Sequence, residues 1–371
     1  MKIRTIFVVL ILMVLSIPAI DAKPVIIGFI ENIDQNIIKE QGIANFTRHK
    51  IINAISTDIS ESVSKQLKKN SKIKYVEEDA QVQIIGKRKQ PQPPQPTQQI
   101  TWGIARVKAP GAWNKSTGKN VKIAVLDTGI SNNHPDLTVS GGINLVGMSK
   151  NNKWNDDNGH GTHVAGIIAA RNNSIGVIGV APDAQLYAVK VLDASGGGYV
   201  SDVIEGIDWA VQNNMNVVSM SLGTTTYSQA LNDSTANAYK AGVLLVAAAG
   251  NSGDGNPSTD DVLYPAKFDS VIAVSAVDSD NIAPAWSADG AKVELAAPGV
   301  DIYSTWLNGG YAYESGTSMA APFVSGVAAL IKSKNPSMTP QEIRDTLDNN
   351  AIDLGDIGRD KTYGFGLVQA G

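Results

Sequence analysis

Cysteine is absent from the 371 residues. That removes disulfides, thiolate nucleophiles and Cys-ligated zinc or iron–sulfur centres at once. Histidine is nearly as scarce: His49, His134, His160 and His163 are the whole supply, so imidazole chemistry has few places to reside. Charged residues make up only 18% and hydrophobic ones 43%, which excludes wholesale disorder and provides for a sizeable core. No apolar run is long enough to span a bilayer. Excess positive charge is missing too. The formal net charge is -4, and from Gln98 onward 17 Lys+Arg face 26 Asp+Glu, a balance of -9. Nucleic acid is therefore not an expected partner; a soluble body able to bind cations is.

What is present divides the chain. Lys2 and Arg4 precede an unbroken apolar run from Ile6 to Leu15, and small residues follow at Ala19 and Ala22. This layout reads as a secretory signal peptide over residues 1–22, with no membrane association after its removal. Residues 23–85 read as a small α+β unit. Val25–Ile30, Lys72–Val76 and Gln81–Ile85 have strand character. A helix start is expected near Asp58 and Ser60, where Val63 and Leu67 follow four apart. Glu77-Glu78-Asp79 reads as an acidic turn. Residues 86–97 open with GKRKQPQPPQP, a basic, proline-rich stretch that favours extended polyproline conformation and marks a linker.

From about residue 98 the pattern changes. Val121–Leu126, Leu186–Val191, Val217–Met220 and Val243–Ala248 are short apolar runs, and amphipathic segments such as Val200–Asn213 and Ser228–Ala241 lie between them. Apolar strands alternating with helices predict an α/β fold over 98–371, with a mostly parallel central sheet and helices on both faces. Working residues in such sheets sit beyond the carboxyl ends of the strands.

Four segments fit that rule. The first strand ends in Asp127-Thr128-Gly129, and NGHGTHVAGIIAA (158–170) opens a helix at His160. GVLLVAAAG runs into Asn251, and GTSMAAP (316–322) puts Ser318 at a helix N-terminus, with Pro322 near the first turn. Each has a plainer reading. Asp127 and Asn251 suit turns, and Ser318 suits a helix cap. His163 reads as a packed helix residue, and His160 with His163 is a thin metal set. Adjacent Asp156 and Asp157 read as solvated acids rather than a cation site. Together, however, the residues supply every role in acyl transfer: a nucleophile, a base, an orienting carboxylate and an oxyanion donor.

These segments resemble the signature regions of the subtilisin-type serine proteases at 121–130, 158–171, 217–223, 243–253 and 315–331, and the likeness extends over nearly all of 98–371. Residues 23–85, with YVEED at 75–79, resemble the family's propeptide, an intramolecular chaperone and inhibitor. The resemblance implies a secreted endopeptidase of broad specificity, made as a self-processing zymogen and working as a monomer on polypeptide substrates. By correspondence Asp127 orients, His160 is the general base and acid, Ser318 attacks, and Asn251 lines the oxyanion hole. Gly196, Gly197 and Gly198, with Ser221, Leu222 and Gly223, would sandwich an extended substrate. Ala248, Ala249 and Gly250 would wall a mostly apolar P1 pocket, flanked by Ser252 and Leu263. Ala321 and Phe323 depart from the usual serine motif at positions behind the nucleophile. A structural Ca²⁺ is implied, held by the side chains of Gln98, Asp136 and Asn173 and the carbonyls of Arg171, Ile175 and Val177. Self-cleavage is expected near Ile85–Gly86, and no appended C-terminal module is expected. A metal-dependent hydrolase built on His160 and His163, and a binding module without turnover, are the rival readings.

Overall fold

A core of strands that are apolar on both faces sets the architecture, because such strands are stable only when covered on both sides; the edge strand Val139–Asn144 is the exception, with no residue fully buried. The computed structural model describes residues 22–88, 97–147 and 151–371. The signal-peptide reading on residues 1–21 and most of the proline-rich linker fall outside them.

The N-terminal unit contains β1 (Ala22–Phe29), α1 (Gln35–Glu40), β2 (Thr47–His49), β3 (Ala54–Ser60), α2 (Glu61–Leu67) and β4 (Ile73–Glu78). Its four strands pair in the order β2-β3-β1-β4. Residues of alternating orientation build two cores. Val25, Ile27, Phe29, Ile55 and Val76 pack with Ile37, Ile38 and Leu67 of the unit's own helices, while Ile26, Ile52 and Ala54 join the core of the main body. Ser60 caps α2 by accepting the Val63 N–H at 3.3 Å. Asp58 lies within β3 rather than at a helix start, and Glu77 and Glu78 extend β4 rather than turn.

Beyond β4 the chain runs through β5 (Gln81–Ile84) and β6 (Lys87–Arg88). The main body then adds α3 (Trp102–Arg106), α4 (Ala109–Ala112), β7 (Lys122–Asp127), β8 (Val139–Asn144), α5 (His160–Ala169), β9 (Gln185–Lys190) and β10 (Gly197–Tyr199). Next come α6 (Val200–Gln212), β11 (Val217–Met220), β12 (Leu222–Gly223), α7 (Gln229–Lys240), β13 (Leu244–Ala248), β14 (Val271–Val277) and β15 (Val293–Pro298). The hairpin of β16 (Ile302–Thr305) and β17 (Tyr311–Ser315) precedes α8 (Thr317–Lys334) and α9 (Pro340–Asn350).

The central sheet has the order β15-β14-β13-β11-β7-β9-β8, and every neighbouring pair is parallel. In β7, Ile123 and Val125 face a core shared with α5 and α8. Ala124 and Leu126 face the opposite core with α6 and α7. The two-residue period of the strand thus supplies both layers. The expected strands and amphipathic helices fall within a residue or so of these elements. Among the described residues no helix is long and apolar enough to cross a membrane.

Candidate active site

β7 delivers Asp127 to the carboxyl edge of the sheet, where it is fully buried. α5 begins beside it with His160, whose Nδ1 lies 2.8 and 3.0 Å from the two Asp127 carboxylate oxygens. Contact this close fixes the tautomer, with the proton on Nδ1 and Nε2 left as an acceptor. Burial disfavours the imidazolium. The charge and hydrogen bond of Asp127, with the more distant carboxylates of Glu314 and Asp156, outweigh it and hold the His160 pKa above its ordinary value.

Asp156 is not the solvated acid expected. It is buried and accepts five hydrogen bonds, from Thr128 Oγ1, the N–H groups of Asn158, Gly159 and Thr162, and Thr162 Oγ1. Its charge sits at the start of α5, where the helix dipole favours an anion, and it locks the turn that presents His160. Asp157 pairs with Lys190 Nζ at 2.7 Å. A residue signal for Asp156 was present: an acid six positions before a threonine at a helix start.

Ser318 is the second residue of α8. Pro322 therefore lies in the second turn, not the first. Having no N–H, it leaves the Ser318 carbonyl without its helical donor, and Ser221 Oγ fills the gap at 2.8 Å. In return the Ser318 hydroxyl donates to the Ser221 carbonyl at 3.0 Å. The Ser318 hydroxyl is thus turned away from His160 Nε2, which makes no hydrogen bond here. Asn251 follows β13 and fixes its own orientation: its Oδ1 accepts from Thr317 N and Oγ1, both at 2.9 Å, so Nδ2 faces the cleft.

The chain itself occupies that cleft. β5 runs antiparallel between β10 and β12, with the Ile84 N–H donating to Gly196 O at 3.0 Å and the Ile85 N–H reaching Ser221 O at 3.4 Å. Gly197, Gly198, Leu222 and Gly223 are all paired to it. The Ile85 side chain is buried; a Cβ built on Gly223 would meet Ile85 Cδ1 at 2.9 Å and Leu263 Cβ at 3.0 Å. Thr224, Thr225, Ser252 and Leu263 line the pocket of about 380 Å³ around this segment. Ala248, Ala249 and Gly250 stand behind it, held by Leu263 N to Ala249 O and Ala288 N to Gly250 O. Sequence reasoning missed Thr224 and Thr225.

Past Ile85 the geometry converges. A Cβ at Gly316 would lie 2.7 Å from the Ile85 carbonyl oxygen and 2.8 Å from Asn251 Nδ2, so only glycine leaves room for both. One placed on Gly86 would lie 3.4 Å from His160 Nε2 and 3.6 Å from Glu314 Oε2. β6 then pairs with β17. The N-terminal unit grips the body elsewhere too. Glu77 accepts from Ser228 Oγ, Gln229 N and Ala230 N at the start of α7. Asp79 accepts from Ser201 N at the start of α6.

Of the expected Ca²⁺ ligands, the side chains of Gln98, Asp136 and Asn173 and the carbonyls of Arg171 and Val177 come together. Gln98 Nε2 points at Arg171 O, Asn173 Oδ1 and Val177 O, at 2.6, 3.4 and 3.0 Å. Asp136 accepts from Asn173 Nδ2 at 2.7 Å, Val177 N at 2.9 Å and Tyr311 Oη at 3.1 Å. Burial pushes its carboxyl up to about 6. The carbonyl and amide oxygens of Arg171, Asn173 and Val177, gathered beside the buried Asp136 carboxylate, are the donor chemistry a hard cation takes. Gly176 lets the loop close, because a Cβ there would collide with Tyr311 Oη and Asp136 Oδ2. For Ile175 the contact seen is its N–H, donated to Asn173 Oδ1, rather than the expected carbonyl.

His163 is no metal ligand in this arrangement. Its Nε2 donates toward the carbonyls of Ile302 and Ala312, both at 3.0 Å, and burial pushes its pKa down to about 3.

The model of the subtilase family matches residues 118–366. Subtilisin E of Bacillus subtilis (strain 168) is 44% identical over 354 residues, covering 93% of this chain and 89% of that protein. M-protease of Shouchella clausii (strain KSM-K16) is 45% identical over 350 residues, covering 92% and 86%. The minor extracellular protease Epr of B. subtilis (strain 168) is 48% identical over 269 residues, 72% of this chain and 41% of its own. With the parallel sheet and with Asp127, His160, Asn251 and Ser318 at its carboxyl edge, these likenesses establish that the chain belongs to the subtilase family and is a subtilisin-type serine endopeptidase.

Proposed function

We propose that Ser318 is the nucleophile, His160 the general base and acid, Asp127 the orienting carboxylate and Asn251 the oxyanion donor, and that their first substrate is the chain's own Ile85–Gly86 bond. One observation carries the reading: the Ile85 carbonyl oxygen and Asn251 Nδ2 lie 2.7 and 2.8 Å from the point where a Gly316 Cβ would sit, while a Cβ on Gly86 would lie 3.4 Å from His160 Nε2.

The steps follow from the atoms in place. Rotation of the Ser318 hydroxyl from the Ser221 carbonyl toward Nε2 lets His160 take its proton as Oγ attacks the Ile85 carbonyl carbon. Asp127 stabilises the resulting imidazolium. The oxyanion is met by Asn251 Nδ2 and the Ser318 N–H at the start of α8. His160 then gives its proton to the Gly86 nitrogen, the peptide bond breaks, and water releases residue 85 from Ser318 by the same steps in reverse.

A protein substrate would take the place of residues 81–88 in the same antiparallel register. Main-chain pairing to β10 and β12 tolerates many sequences, which supports broad specificity; the buried Ile85 beside Leu263 supports an apolar P1 residue. Residues 23–85, gripping α6 and α7 through Asp79 and Glu77, would remain as the inhibitor after cleavage, and 86–97 would be the trimmed linker. The layout of residues 1–22 supports export as a secreted, extracellular monomer. Gln98, Asp136, Asn173 and the carbonyls of Arg171, Ile175 and Val177 would hold Ca²⁺, which when bound supplies positive charge that cross-links the loop to the N-terminus of the catalytic body.

A fluorophosphonate probe on the matured protein tests the assignment. It should label one peptide, the one containing Ser318. Full activity without labelling would favour a metal-dependent hydrolase and sink the reading.

A further inference from the structure

A second group of carboxylates lies beside the P1 pocket. Asp254 and Asp261 belong to the loop that follows Asn251, and Asp289 precedes β15. One carboxylate oxygen from each falls within 4.8 Å of the others. Their surroundings do not neutralise them. Asp260, next in the chain, pairs with Lys267 at 2.9 Å, but among the described residues no ion pair reaches Asp254, Asp261 or Asp289. Asp289 is only 3% exposed, and its Oδ1 has no hydrogen-bond partner.

A buried carboxylate oxygen without a partner, on a residue whose carboxyl group meets two further acids, is costly unless something positive joins them. Burial, then the charges of Asp261 and Asp254, push the Asp289 carboxyl above the usual range, with Asp260 adding to this and Lys361 opposing it. A proton would relieve part of that strain. A divalent cation would relieve all of it, and the oxygen-only, irregular donor set suits a large, hard ion whose remaining positions are filled by water.

The geometry points to a Ca²⁺ site formed by Asp254, Asp261 and Asp289, separate from the Gln98–Val177 loop. Its place gives it a role. The loop carrying Asp254 and Asp261 also supplies Ser252 and Leu263 to the pocket. Gly253 N to Trp286 O at 3.0 Å, Asp261 N to Asp289 O at 2.9 Å and Ala288 N to Gly250 O at 2.9 Å tie that loop to the segment bearing Asp289. An ion bridging the three acids holds the outer wall of the P1 pocket against the sheet.

Equilibrium dialysis of the full-length Ser318→Ala chain against micromolar to millimolar Ca²⁺ tests this without removing metal beforehand. Asp289→Asn, and separately the double variant Asp254→Asn/Asp261→Asn, should bind one equivalent fewer, or bind it about 100-fold more weakly. Asp136→Asn should leave that equivalent in place. The double variant alters one exposed and one half-buried residue, so it decides the matter if Asp289→Asn does not fold. Unchanged stoichiometry and affinity in the acid variants, or a single bound equivalent abolished by Asp136→Asn, would overturn the proposal.

Discussion

Both carboxylate oxygens of Asp127 lie within hydrogen-bonding distance of one nitrogen of His160, at 2.8 and 3.0 Å. The ring's other nitrogen therefore faces the cleft as the acceptor. Its readiness to accept depends on every charge nearby, and Glu314 is one of them. It is buried, and its Oε2 approaches the same side of Gly86 as His160 Nε2.

Glu314→Gln should move the acid limb of the pH–rate profile. Glu314 contributes to raising the His160 pKa, behind Asp127. The imidazole must be neutral to accept the serine proton, so the rate falls as pH drops through that pKa. Removing a charge that stabilises the imidazolium lowers the pKa and shifts the acid limb to lower pH. Self-cleavage rates of the full-length chain across pH 5–8 measure it. An unmoved limb, or one moved upward, would contradict the electrostatic role given to Glu314.

Asp156→Ala should weaken both fold and catalysis. Five donors lose their acceptor, three of them backbone N–H groups at the start of α5. Buried donors left without partners cost on the order of 1–3 kcal/mol each before water or relaxation compensates. A total loss of about 3 kcal/mol is expected, read as a lowered thermal midpoint in the Ser318→Ala background. Self-cleavage in the otherwise unaltered chain should slow as well. Unchanged values of both would show that Asp156 does not hold His160 in place.

Glu77→Ala should shorten the inhibited phase. The carboxylate meets Ser228 Oγ at 2.6 Å and two N–H groups of α7 at 3.0 and 3.1 Å. Hydrogen bonds to a charged group contribute about 1.5–3 kcal/mol. Roughly ten- to hundredfold faster release of the cleaved N-terminal unit follows, since about 1.4 kcal/mol is a factor of ten. The interval between chain cleavage, seen on a gel, and hydrolysis of an added peptide measures it. An interval as long as that of the parent chain would show that Glu77 does not hold the inhibitor.

Much of this was legible in the residues. Apolar runs ending in Asp127 and Asn251 fixed the sheet edge, and the spacing of hydrophobic residues marked α6 and α7. Other features were hidden, for physical reasons. Asp156 and Asp157 look alike in sequence, yet one is buried under five donors and the other pairs with Lys190. The difference lies in how the turn before α5 closes, which local composition does not encode. Glu77 and Glu78 look like a turn because acids are poor strand formers, but Glu77 is retained in β4 by the helix end it caps. The bond from Ser221 to the Ser318 carbonyl depends on Pro322 lying one turn deeper in α8 than the motif suggests, and Thr224 and Thr225 line the pocket because they follow β12, which pairs alongside β5.

The most direct measurement is the first new N-terminus formed when the purified full-length chain is incubated alone. Sequencing at early times should give Gly86 at its head, by cleavage that the Ser318→Ala chain does not undergo. A Ser318→Ala chain that still yields this terminus, or a first cut remote from Ile85–Gly86, would contradict the account.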